Sequence, residues 1–197
     1  MIAGMSDVER DIDVFERLRA SWLSHRSPIV DHLRAGLTTE ELDAVEASSG
    51  LVLPVEMRLW WGWHNGVEPD VPGTRLGAGP WDLLSLADAL KYRARLITLT
   101  EEFEEDDEVR WLPEWLPVVR YDSSYLFVTC GEPRTGHSEV RRWDDVPDDP
   151  YTVQSPSWTA AVTVFAEQLE SGDYTYSTEE SRWYGPARRP AGVARLL

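Results

Sequence analysis

Residues 38–66 read TTEELDAVEASSGLVLPVEMRLWWGWHNG, and the division of this stretch decides the fold. Thr38 stands three residues before Glu41, the spacing of a capping box in which each side chain bonds the other's backbone N–H. Leu37 and Leu42 fall at the positions of a hydrophobic staple, and Glu40, Glu41 and Asp43 suit the positive end of a helix dipole. Gly50 can take the left-handed conformation that stops a helix. Leu51 and Leu53 then form an apolar junction, and Pro54 is suited to the first residue of a second helix. Val55, Leu59 and Trp63 share one face of that helix and Trp60 widens it. Asn65-Gly66 is expected to end it.

Outward from this pair, Ser6 and Glu9 form a second capping box, and Val8, Ile12, Phe15, Leu18 and Trp22 recur at helical spacing. An amphipathic helix over residues 7–23 follows, broken at Ser27-Pro28. Residues 67–80, VEPDVPGTRLGAGP, read as a loop. A short strand is expected at residues 81–84, then a helix capped by Ser85 with a stripe of Leu86, Leu90, Leu96 and Ile97. From Trp111 the pattern changes to strands: 115–121, 125–130, 139–143 and a short 151–153, with turns at Asp122-Ser123-Ser124 and between Gly131 and Gly136. Consecutive strands on short turns make an antiparallel meander. A last helix opens at Ser155-Pro156-Ser157, with Trp158, Ala161, Val162, Phe165 and Leu169 on its apolar face. Helices segregated from antiparallel strands mean an α+β fold, a mostly antiparallel sheet packed against helices. Residues 5–172 are expected to form one domain, and 173–197 a basic extension that folds back on it or is disordered.

The 197 residues carry 35 acidic against 19 basic side chains, a net charge of −16. A phosphate backbone would be repelled, so nucleic acid is not an expected partner; basic macromolecules are. No apolar run reaches the ~20 residues that span a bilayer, and no secretory signal is read at the start. The single Cys130 suits a reducing compartment, so a cytoplasmic location is expected. Negative charge concentrates in two places. One is the run Glu101, Glu102, Glu104, Glu105, Asp106, Asp107 and Glu108; the other is the loop with Asp144, Asp145, Asp148 and Asp149. These are the candidate partner-binding residues. Most of the ten Trp residues belong to packing, with one or two at an interface.

No catalytic constellation is legible. His25, His32, His64 and His137 show no paired-ligand spacing, and buried or capping roles are expected for them. Cys130 ends an apolar strand as a small hydrophobe would. The acidic run lacks the spaced Asp/Asn and Gly of a calcium loop, and Gly77-Ala78-Gly79 lacks the Lys-Ser/Thr of a phosphate loop. No cofactor and no metal are expected.

Several features together resemble the SUKH superfamily, the group that includes a fungal cell-wall assembly regulator and many bacterial immunity proteins. They are Leu53-Pro54 with the helix after it, Asn65-Gly66, the capped acidic helix at Thr38, Trp115-Leu116-Pro117-Val118-Val119 with the next turn and strand, and the closing helix from Trp158 to Leu169. The chain departs from the group in its acidic run and basic tail. The resemblance implies a non-enzymatic, protein-binding domain, often one that neutralises a toxin. The alternatives are a regulatory scaffold linked to cell-wall assembly and an enzyme of unrecognised type. Partner identity does not transfer with a fold.

Overall fold

The computed structural model describes residues 6–102, 111–144 and 152–185. In chain order it contains α1 (Asp7–Ser24), a 3-10 turn (Pro28–His32), β1 (Leu33–Ala35), α2 (Thr39–Ser49), α3 (Val55–Trp63), β2 (His64–Val67), β3 (Asp82–Leu83) and α4 (Leu86–Glu102). There follow β4 (Trp115–Tyr121), β5 (Ser124–Thr129), β6 (Val140–Trp143), β7 (Val153–Ser155), α5 (Trp158–Glu170), β8 (Thr175–Ser177) and β9 (Arg182–Tyr184). Strands β3 to β7 pair in sequence order into one five-stranded antiparallel sheet, so the fold is α+β with a meander at its centre.

Both capping boxes form. At α2 the Thr38 N–H donates to Glu41 Oε2 at 2.8 Å, and the Glu41 N–H donates to Thr38 Oγ1 at 3.2 Å. Gly50 closes α2 with φ of +70°. Ser157 caps α5, which buries all five of its expected apolar residues. The sheet separates two clusters by simple alternation along β5. Leu126 and Val128 face the large core shared with α1, α3 and α5, while Tyr125 and Phe127 join Trp111, Trp115, Trp143 and Leu96 of α4. Pro117 lies inside β4 at a stretch that β3 does not reach; β3 pairs only with Val119 and Arg120, and the β5 register shifts between Pro117 and Val119.

In α3 Glu56, Met57, Trp60 and Trp61 are buried, and Leu59 and Trp63 are half-buried and pack against the same core. Adjacent tryptophans make this helix apolar on both sides. Two expectations are corrected. Asn65-Gly66 does not end α3; the helix stops at Trp63, and the pair lies in β2, which is antiparallel to β1. The Asn65 side chain instead accepts the N–H of Leu86 at 2.8 Å, at the start of α4. The second correction is local: β7 runs from Val153 to Ser155, and Thr152 lies outside it. Beyond α5, β8 and β9 form a hairpin whose Trp183 covers Gly77 of the 67–80 loop and meets the ring of His25 at 5.3 Å.

Gly66 has φ of +73°, and a Cβ there would lie 2.5 Å from the Ser85 backbone nitrogen. Gly66→Ala is therefore expected to cost roughly 2–5 kcal/mol, from left-handed strain and backbone overlap together. Asn65→Ala should cost about 1 kcal/mol, as loss of a helix cap does. Urea unfolding followed by circular dichroism measures both; a Gly66→Ala protein of unchanged midpoint contradicts the close packing of β2 on the start of α4.

Candidate partner-binding surfaces

Of the acidic residues singled out above, Glu101 and Glu102 form the C-terminal end of α4. Asp144 is committed to its neighbours: Arg142 Nε lies 2.9 Å from Oδ2, and the Ser124 hydroxyl donates to Oδ1. Glu104, Glu105, Asp106, Asp107, Glu108, Asp145, Asp148 and Asp149 lie outside the described residues.

The best-connected carboxylate is one the sequence reading passed over. Glu46, near the end of α2, is 10% exposed. Its Oε1 accepts the Leu53 N–H at 2.7 Å, and Arg134 grips both oxygens at 2.7 and 2.9 Å. Arg58 of α3 donates to Oε2 at 2.5 Å and reaches Asp43 at 2.7 Å. Arg134 also donates to the Leu53 carbonyl at 2.7 Å. One side chain thus fastens α2, the Leu51–Pro54 link, α3 and the loop between β5 and β6. That loop finishes the job on α3. Pro54 makes no side-chain cap, and the Val55 and Glu56 N–H groups donate to the Thr135 and Gly136 carbonyls at 2.9 and 3.0 Å.

Glu56 is fully buried and does the same on the other side. Its oxygens accept the Ser138 N–H at 2.7 Å and the Thr159 N–H at 3.0 Å, so it sits on the first turn of α5. Burial pushes its carboxyl above the usual glutamate range, against the pull of those N–H groups. His137 lies 3.4 Å from Asp11 close by. This is a histidine with two carboxylates, the combination that would suggest an enzyme. Neither of the two concavities below is lined by any of the three, and both Glu56 oxygens are taken by backbone donors. Among the described residues no group of three or more His, Cys, Asp or Glu is placed to hold a metal. The other histidines bond carbonyls or a carboxylate: His25 to Leu169 O, His64 to Arg34 O and His32 to Glu68. Burial drives the Cys130 thiol up to about 12.

Eight of the ten Trp residues are buried; the other two, Trp63 and Trp183, each line a concavity. The larger one, about 870 Å³, lies between the 67–80 loop and the β8–β9 hairpin. Three of its four arginines are matched by acids, Arg75 by Asp82 at 3.3 Å, Arg34 by Asp88 at 4.0 Å and Arg182 by Glu180 at 2.8 Å, while Arg120 bonds the Tyr92 hydroxyl. The other, about 650 Å³, is a groove between α1 and α2 whose floor is the second apolar face of α3. Val55, Leu59 and Trp63 are that floor, and Leu59 and Trp63 also pack against the core. No helix of the described residues is long and apolar enough to cross a membrane.

The Glu46 cluster has a pH signature. Burial raises its pKa, but the hydrogen bonds from Arg134 and Leu53 and the charges of Arg134 and Arg58 outweigh this, and the carboxyl titrates below its ordinary 4.5. A lowered folded value adds stability above the unfolded pKa, lost as pH falls through the folded one. Glu46→Gln should cost roughly 2–3 kcal/mol at pH 7, since it leaves two guanidinium groups short of charge. The gap to wild type should close below pH 4.5, the ordinary glutamate value. Denaturant titrations across that range check this; no gap at pH 7, or a gap that does not narrow as pH falls, contradicts a role for the Glu46 charge.

The comparisons with known proteins agree with this architecture. The SMI1 / KNR4 family (SUKH-1) matches residues 36–163, from the start of α2 into α5. F-box only protein 3 of Homo sapiens is 40% identical over 75 residues, covering 34% of this chain and 16% of that protein. The Rattus norvegicus protein of the same name is 39% identical over 79 residues, covering 36% of this chain and 16% of that protein. This chain therefore spans only about a sixth of those relatives' length. The family match runs over well more than half of the 197 residues, and the chain belongs to the SMI1 / KNR4 family (SUKH-1).

Proposed function

We propose that this chain is a non-enzymatic protein-binding domain, acting in the cytoplasm as an immunity protein that neutralises a toxin with a basic surface. The observation that carries the reading is a net charge of −16 on a chain that carries a SUKH-1 domain. Toxins that attack nucleic acids need positive surface to hold a phosphate backbone. An acidic protein meets such a surface quickly and, once seated, keeps the substrate away. Two supports come from the site. The best-placed buried carboxylates, Glu46 and Glu56, are saturated by structural hydrogen bonds and have no oxygen left for acid–base work. The thiol of Cys130 is buried and poorly ionisable, which speaks against a nucleophile.

A regulatory scaffold is the second reading. It is favoured by the relatives, in which the matching stretch is a small part of a much longer protein. A scaffold predicts several partners and a growth phenotype on deletion with no toxin present.

The deciding experiment is co-expression with the product of the gene that neighbours this one. A toxic, basic product whose toxicity this chain abolishes is the expected result. The purified pair should weaken by roughly tenfold or more between 50 and 300 mM salt, because screening shortens the reach of charge. A harmless neighbour, or a toxic one that this chain neither captures nor restrains, overturns the immunity reading.

A further inference from the structure

The β8–β9 hairpin is built by its own residues. Ser177 Oγ accepts the Glu180 N–H at 3.2 Å, and Ser181 has φ of +50°, so residues 178–181 reverse the chain and set β8 against β9. The register pairs Thr175 with Tyr184, Tyr176 with Trp183 and Ser177 with Arg182. Arg182 Nε lies 2.8 Å from Glu180 Oε2 and donates to the Tyr184 hydroxyl at 2.6 Å, and that hydroxyl donates to Glu180. All of these bonds are internal. Among the described residues, no hydrogen bond and no ion pair joins residues 175–184 to the rest of the domain. The hairpin also lies beyond residues 36–163, the stretch that the family matches.

What fastens it is apolar contact. Trp183 reaches from β9 onto Gly77, where a Cβ would stand 2.8 Å from its ring, and it packs at the edge of the large core. It meets the rings of His25 and Tyr176, each at 5.3 Å. The Tyr176 hydroxyl fills the place that a Cβ on Gly73 would need. Gly73 and Gly77 have φ of +82° and +96°, so the 67–80 loop presents bare backbone to the two rings. The closed arrangement carries one uncompensated loss: the Trp183 indole N–H is buried and has no acceptor among the described residues. Water would bond that donor, so it favours release. A lone two-stranded hairpin is marginal in water, so once these contacts part the two strands lose their pairing together.

We infer that the β8–β9 hairpin is a strap over the cavity of about 870 Å³, released as one unit while the sheet and its helices stay folded. Ser181, Arg182, Trp183 and Gly185 supply the hairpin side of that cavity. Release removes this side and uncovers Gly77, which is buried when the strap is down. The sheet does not depend on the strap. Strands β3 to β7 pair only with one another, and the core they share with α1, α3 and α5 takes in the hairpin only at its edge, through Trp183. Local opening of this kind belongs to segments with few buried contacts, and it leaves the central strands protected.

The test is amide hydrogen exchange on the full chain, read residue by residue by NMR. The paired amides of β8 and β9 are expected to share one protection factor, about a hundredfold or more below that at the centre of β4 and β5. Protection equal to that of β4 and β5 would mean that the hairpin opens only when the whole domain unfolds. Protection that falls steadily from the Ser177–Arg182 pair to the Thr175–Tyr184 pair would mean a chain end fraying. Either result overturns the inference. Two variants test the fastening. Gly77→Ala places a methyl group against the Trp183 ring without removing it, and should speed hairpin exchange by roughly tenfold or more. Trp183→Ala should abolish protection in the hairpin and leave β4 and β5 protected as in the wild type. Unchanged hairpin exchange in Gly77→Ala, or loss of protection throughout the sheet in Trp183→Ala, overturns the inference as well.

Discussion

The arrangement of this domain depends on the charge-assisted hydrogen bonds around Glu46. A carboxylate taken largely out of water is costly unless every lone pair finds a donor, and ideally a cationic one. Glu46 meets that condition with one backbone N–H and two arginines drawn from three different parts of the chain. Removing any donor leaves charge uncompensated, so the geometry is specified as well as stabilised. Glu56 repeats the arrangement ten residues on with backbone donors, tying α3 to the Ser138 loop and to the first turn of α5. Between them these two glutamates fix α3 at its start, from both sides, and hold the β5–β6 loop against it.

The immobilised α3 explains the groove. A helix of nine residues that is apolar nearly all round has more hydrophobic surface than one interface can bury. The core takes the side with the paired tryptophans, because Trp60 meets Phe15 and Trp158 there and Trp61 donates its indole N–H to the Leu84 carbonyl. The opposite side lies between α1 and α2, whose spacing from α3 is set in part by the Asp43–Arg58–Glu46 bridge. The same ion pairs that stabilise the fold also balance the two arginines at the groove's edge.

Local features were legible in the sequence. Both capping boxes, the left-handed Gly50, the antiparallel meander and the buried face of α5 are determined by residues within a few positions of one another, and all appear as read. What depends on distant contacts was not. Arg134 and Glu46 are 88 residues apart, and nothing in either neighbourhood advertises the pair. The choice between the two faces of α3 is made by α1 and α5, not by α3's own periodicity. Strands β1, β2, β8 and β9 are three or four residues long and carry no alternating apolar pattern, so hairpin pairing alone reveals them. The role of Asn65-Gly66 was also hidden, since it acts on Ser85 and Leu86 about twenty residues away. The acidic residues chosen from sequence were the densest ones. Of these, Asp144 serves its own surroundings through Arg142 and Ser124.

The central claim is that the Glu46 and Glu56 carboxylates hold α2, α3 and the β5–β6 loop together as one unit. Amide hydrogen exchange on the wild type and on Glu46→Gln at pH 7 addresses this most directly. The account predicts faster exchange at Leu53, Val55 and Glu56 in the variant, with the centre of β4 and β5 unchanged. Identical exchange at those amides in the two proteins would contradict it.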